Sequence, residues 1–198
     1  MIQQLIKKSI LTILGCFLFL NFSFAQTWEV EWLNNINPDH PNSSFQINVS
    51  KSVYPLALAT PLTMLSVGVI KKDKSLQKNS FNIIGSLLIN TAITQGLKYT
   101  IHRQRPYDAY PTLIHPYNIE TDPSFPSGHT STAFALATSL SMQNKKWYIV
   151  IPAFAWASSV GYSRLYLGEH YPTDVIAGAA IGMASAYLSN WLTKKFIR

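Results

Sequence analysis

Uncharged stretches, joined by short connections that carry lysine, dominate the chain. Runs free of Asp, Glu, Lys and Arg cover Ser9–Phe24, Val53–Ile70, Phe81–Leu97, Thr130–Asn144, Trp147–Ser163 and Val175–Thr193. A helix that crosses the hydrocarbon core takes roughly 17–25 residues. Most of the runs have that length, and the Thr130 run reaches it only if its helix begins near Ser127. The pattern predicts an all-α, multi-pass transmembrane bundle of five or six spans. Asn82, Asn90 and Gln95 fall inside one run, which leaves a second reading: a soluble all-α protein with buried core helices.

The connections separate these two readings. Lys71-Lys72-Asp73-Lys74 with Lys78, Lys145-Lys146, and Lys194-Lys195 with Arg198 sit in alternate connections, and Lys7-Lys8 precedes the first run. If the first run leads out of the cytoplasm, all four clusters fall on the cytoplasmic side, as the positive-inside rule requires. A soluble bundle has no reason to alternate its lysines, so the membrane reading is preferred. The loops over 98–129 and 163–174 then share the outer face.

The first run has a basic start, an apolar centre and small residues at Ser23 and Ala25. It reads as a signal peptide over residues 1–25 or as an uncleaved first helix. Residues 26–52, with Trp28 and Trp32, read as a partly helical interfacial lid or collar, or as a plain linker. Residues 53–198 would be the membrane-embedded domain. In the last run Gly178 and Gly182, flanked by alanines, mark a face that packs closely on a neighbouring helix.

Composition agrees with this division. Of 198 residues, 47% are hydrophobic and only 13% charged, a thin supply for a soluble surface. The net charge of +7 is dispersed among small clusters without a basic stripe, which argues against a nucleic-acid partner. Cys16 stands alone, so an intrachain disulfide is ruled out.

Three blocks carry the chemistry. Lys98 and Arg105 are seven residues apart, on one face if the helix continues, and Pro106 then stops the helix or turns the chain. Two cations at the end of a span also suit headgroup anchoring, the role expected of His102 and Arg103. Pro126-Ser127-Gly128-His129 opens an apolar helix whose free N–H groups form an anion site. There Gly128 admits a phosphate oxygen close to the backbone, Ser127 donates to another, and His129 lies alongside; a helix cap with an incidental histidine is the simpler alternative. Ser163-Arg164 precedes His170, and Asp174 follows four residues later, so one turn brings the carboxylate to an imidazole nitrogen. Glu169 is expected to face solvent. Three cations, two histidines and a carboxylate suffice for attack on a phosphate ester, with no carboxylate cluster for Mg²⁺ and no cofactor implied.

The blocks Lys98-x6-Arg105-Pro106, Pro126-Ser127-Gly128-His129 and Ser163-Arg164-x5-His170-x3-Asp174 resemble the signature of the type 2 phosphatidic acid phosphatase superfamily. That superfamily includes lipid phosphate phosphatases, bacterial acid phosphatases and vanadium haloperoxidases. The resemblance implies His170 as nucleophile oriented by Asp174, and His129 as acid and then base. It also implies that Lys98, Arg105, Ser127, Gly128 and Arg164 bind phosphate. It points to a metal-independent phosphatase of a bacterial inner membrane, acting on a lipid phosphate at the periplasmic face. The alternatives are a periplasmic acid phosphatase for soluble monoesters, a haloperoxidase, or a non-catalytic lipid-handling protein. Tyr107, Asp108, His115, Glu120 and Asp122 are candidate headgroup contacts.

Overall fold

The computed structural model describes residues 28–196; the expected signal segment 1–25 and Cys16 lie outside the described residues. All regular structure among the described residues is helical. It consists of α1 (residues 28–36), α2 (Ser44–Lys51), α3 (Val53–Ile70), α4 (Lys74–Ile101), α5 (Pro106–Ala109), α6 (Gly128–Gln143), α7 (Trp147–Tyr166) and α8 (Pro172–Phe196). The five long helices follow the five apolar runs after residue 52, with α4 extending beyond its run at both ends. Helices α3 and α8 are each long and apolar enough to cross a membrane.

Polarity is inverted relative to a water-soluble bundle. Large apolar side chains such as Leu58, Leu62, Val69, Leu88, Ile151, Ile176 and Trp191 point outward and are exposed. The helix interfaces instead bury Ser80, Ser86, Asn90, Thr94, Ser131, Ser139, Ser185 and Ser189. Small and hydroxyl-bearing residues let helices approach closely and bond across the gap. Ser80 Oγ donates to the Pro61 carbonyl at 2.7 Å, and Ser189 Oγ donates to that of Asn82 at 2.8 Å. A small apolar centre of Val53, Ala133, Ala137, Ala157 and Val160 fills the space between α3, α6 and α7.

Helices α6 and α8 make the most extensive helix–helix contact, and the expected glycine face forms it. A Cβ on Gly182 would stand 2.1 Å from the Ser131 carbonyl oxygen, and one on Gly178 2.7 Å from that of Ser127. No side chain fits at either position. The start of α6 is therefore set against α8 by backbone proximity.

Residues 28–52 are not a plain linker. Helix α1 stacks Trp28 on Trp32 at 6.0 Å on its exposed side. Its other face buries Val30 and Leu33 with Tyr107, Ile114, Leu165 and Tyr171. Helix α2 packs along α7, and Trp156 Nε1 donates to Ser52 Oγ at 2.9 Å. Both helices thus cap the end of the bundle where the chemical blocks lie.

Candidate functional site

Each block reaches that end through a local break in the helices. Helix α4 closes at His102, whose left-handed backbone (φ 50°) returns its N–H to the Lys98 carbonyl. The chain is irregular after it, with Arg105 extended, until Pro106 starts α5, so Arg105 does not continue the helix of Lys98. The one-face expectation fails at this point, but the turn achieves the same convergence. Lys98 Nζ lies 3.0 Å from Asp122 Oδ2 and Arg105 Nη2 lies 2.5 Å from Asp122 Oδ1.

Gly128 begins α6 as expected, and a Cβ there would meet only Tyr54 Oη, at 4.0 Å. Open space therefore faces the first backbone turn. Ser127 is buried, its hydroxyl shares a 2.9 Å bond with Thr130, and its N–H donates to the Asp174 carbonyl at 3.0 Å. His129 packs edge-on against the Tyr54 ring, with centroids 4.8 Å apart.

His170 lies just before α8, and Asp174 occupies its first turn. His170 Nδ1 stands 3.5 Å from Asp174 Oδ2, longer than a normal hydrogen bond, and has no hydrogen-bond partner among the described residues. Burial pushes the His170 imidazole down to about 3; Asp174 opposes the shift, and the Arg164 and Arg105 charges add to it. An imidazole shifted this far is neutral at physiological pH, with one ring nitrogen unprotonated.

Asp174 is held from every side. Its Oδ2 accepts from the Tyr171 N–H at 2.9 Å and from the Ser124 hydroxyl, while Oδ1 pairs with Arg103 Nη1 at 2.6 Å. The carboxylate thereby satisfies an orphan donor at the start of α8. Arg103 also pairs with Glu29 Oε2 at 2.5 Å and lies 3.8 Å above the Tyr171 ring. Glu29 in turn accepts from the Thr173 N–H at 3.1 Å. Arg103 is therefore no headgroup anchor: it bridges α1 to the carboxylate behind the histidine. Glu169 is likewise not solvent-facing. It is fully buried and pairs with Arg164 Nη2, because the turn after α7 folds it back under the guanidinium.

Lys98, Arg105, Arg164, Gly128, His129 and His170 line one small cavity of ≈ 70 Å³ together with Tyr54, Gln95, Glu120 and Asp122. All but two of the sequence-selected site residues meet there; Ser127 and Asp174 stand behind the wall. Among the headgroup candidates, Glu120 and Asp122 are in the wall. Burial pushes the Asp122 carboxyl up, but the Lys98 ammonium and then Arg105 outweigh it and hold it below the usual carboxylate range. Asp108 borders a wider cavity of ≈ 370 Å³ that shares Arg105, Glu120 and Asp122 with the first. Tyr107 is buried, its hydroxyl accepting from the Glu120 N–H at 2.9 Å, and the His115 backbone is tied to Asn37. Among the described residues, no three His, Cys, Asp or Glu side chains converge as a metal site would require.

The helical bundle thus gathers three cations and two histidines around one small cavity. The chain belongs to the PAP2 superfamily, whose sequence model matches residues 79–198 and so includes all three blocks. The chain is 30% identical over 159 residues to a lipid A 1-phosphatase of Porphyromonas gingivalis, covering 78% of this chain and 33% of that protein. It is 34% identical over 118 residues to an undecaprenyl-diphosphatase of Sulfolobus acidocaldarius, covering 59% and 56%. The chain thus spans about a third of one relative and just over half of the other. Its fold is that of the transmembrane PAP2-type phosphatidylglycerolphosphate phosphatase of Bacillus subtilis, with a TM-score of 0.69 over 90% of this chain and 89% of that one at 21% identity.

Proposed function

We propose that the protein is a membrane-embedded phosphatase that removes phosphate from a lipid phosphate or diphosphate without a metal ion. The observation that carries this reading is the single cavity lined by Lys98, Arg105, Arg164, His129 and His170. Arginine forks and a lysine suit the equatorial oxygens of a phosphoryl group. The names of the relatives, a lipid A 1-phosphatase and an undecaprenyl-diphosphatase, supply the lipid class.

In this reading His170 attacks phosphorus through the nitrogen opposite Asp174. The bond to the leaving oxygen breaks, the electron pair stays on that oxygen, and His129 gives it a proton. Water then attacks the phosphohistidine, its proton passes to His129, and phosphate leaves with His170 neutral again. The Gly128 N–H and the three cations stabilise the charge in both transfers.

The membrane part of the reading rests on the outward apolar faces. Five long helices cross the bilayer of a bacterial inner membrane, the cavity opens at the periplasmic face, and residues 28–52 form a collar above it. The test is phosphate release from purified protein given undecaprenyl diphosphate, phosphatidylglycerol phosphate and phosphatidic acid. Release from at least one, abolished by His170→Ala and absent without lipid, is expected. Activity retained in His170→Ala would remove the nucleophile assignment.

A further inference from the structure

The three cations in the cavity wall are already matched by carboxylates. Lys98 Nζ stands 3.0 Å from Asp122 Oδ2, and Arg105 Nη2 stands 2.5 Å from Asp122 Oδ1. Arg164 Nη2 pairs with Glu169 and lies 3.7 Å from Glu120 Oε1. Three positive charges thus face three carboxylates. A further anion that enters among them meets like charge at close range, which is costly where water is scarce.

The carboxylates are not equally fixed. Glu169 is fully buried behind the wall. Asp122 and Glu120 each keep 36% side-chain exposure, whereas the cations they face keep 3% or 4%. Both belong to the irregular loop between α5 and α6. Both line the small cavity and also the wider one of ≈ 370 Å³, where His102, Gln104 and Thr121 offer polar groups. A side chain in this shared wall passes from one space to the other by turning about its own Cα. The backbone of Asp122 can stay in place meanwhile, because Arg105 Nε donates to its carbonyl at 2.9 Å independently of the carboxylate.

We propose that Asp122 is a resident counter-anion that competes with phosphate for Lys98 and Arg105 and turns into the wider cavity when a phosphoryl group binds. The proposal rests on the phosphatase reading and gives Asp122 a selective role in place of a headgroup contact. A lipid phosphate, held by its apolar tail as well as its charge, displaces the carboxylate. Free phosphate, held by charge alone, does so less well. After hydrolysis the carboxylate returns to Lys98 and Arg105 and drives the product out.

Asp122→Asn keeps the size of the side chain and removes the charge. Inorganic phosphate is titrated calorimetrically into detergent-solubilised wild type and variant, and its Ki is measured against whichever lipid phosphate wild type hydrolyses. Both readouts should show phosphate binding the variant roughly tenfold more tightly. A residue that merely holds Lys98 and Arg105 in place gives the opposite sign, because its loss loosens the cations. Affinity that is weaker, or unchanged within about twofold, overturns the proposal. Failure of both Asp122→Asn and Asp122→Ser to fold also overturns it, by making the ion pairs part of the scaffold. Wild type that hydrolyses no lipid phosphate removes the phosphatase reading and the competition with it. An active wild type beside a variant that binds phosphate no more tightly removes the competition alone.

Discussion

Arg103 shows how a side chain outside the cavity can hold a residue behind its wall. Its guanidinium joins Asp174, Glu29 and the Tyr171 ring, so it fixes the carboxylate that would orient His170 in the proposed mechanism. Replacing one partner of a buried ion pair leaves the other uncompensated, at a cost of about 3–5 kcal/mol when burial is complete. Arg103 retains 19% side-chain exposure, so solvent screens the loss. Arg103→Ala is expected to destabilise the detergent-solubilised protein by about 2 kcal/mol and to lower kcat roughly a hundredfold through misplacement of His170. A positioning role requires KM to stay near its wild-type value, which steady-state kinetics on the preferred lipid will show. The histidine itself makes a second prediction. With its folded pKa depressed to about 3, His170 refuses a proton that an unfolded histidine takes up near pH 6.5. Its contribution to stability is therefore full above about 6.5 and falls as pH drops towards 3. In ¹⁵N-histidine spectra the His170 resonances should report a neutral ring at pH 5; a titration midpoint near 6.5 would contradict the buried environment.

At the scale of elements, the α6–α8 contact joins packing to chemistry. Gly182 and Gly178 allow α8 to lie against the Ser131 and Ser127 carbonyls, and the Ser127 N–H is bound to the Asp174 carbonyl. Gly182→Ala pushes the two helices apart and should cost about 1–3 kcal/mol, the range for overpacking. Gly96→Ala in α4 is the control: a Cβ there meets nothing within 4 Å, and helix propensity alone favours it by about 0.5–1 kcal/mol. Thermal unfolding in detergent should rank Gly96→Ala at or above wild type and Gly182→Ala below it. The glycine pair, the five long helices and the three blocks were legible in the sequence because each is a local pattern: charge-free length, small-residue spacing, fixed motif spacing. Glu29, Arg103 and Glu169 were misread or passed over because their roles arise from contacts between distant segments. Glu29 is 74 residues from its partner Arg103, and no spacing rule spans such a separation. The continued helix on which Lys98 and Arg105 would share one face does not form, for a different reason. The left-handed turn at His102 ends α4 early, and nothing in a His-Arg-Gln-Arg run announces it.

At the scale of the whole molecule, the lysine clusters and the chemical blocks occupy opposite ends. Gln143 Nε2 donates to the Asn79 carbonyl at 2.9 Å, which brings the end of α6 to the start of α4, beside Lys74 and Lys78. The Ser189 bond to Asn82 draws the end of α8, with Lys194 and Lys195, to the same region. The other end carries the cavity, the loop before α6 and the helices α1 and α2. Between them α3 spans 18 residues, about 27 Å at 1.5 Å per residue, close to the thickness of a hydrocarbon core of about 30 Å. If positive charge stays in the cytoplasm, the cavity must open outside, where a lipid headgroup reaches it by lateral diffusion. Single cysteines in a Cys16→Ser background test the orientation without using activity. Asn118→Cys, in the loop before α6, and Asn144→Cys, between α6 and α7, report the two ends. In right-side-out membrane vesicles an impermeant maleimide should label Asn118→Cys directly and Asn144→Cys only after permeabilisation. The reverse order would turn the cavity towards the cytoplasm, and equal labelling of both before permeabilisation would remove the chain from the bilayer altogether.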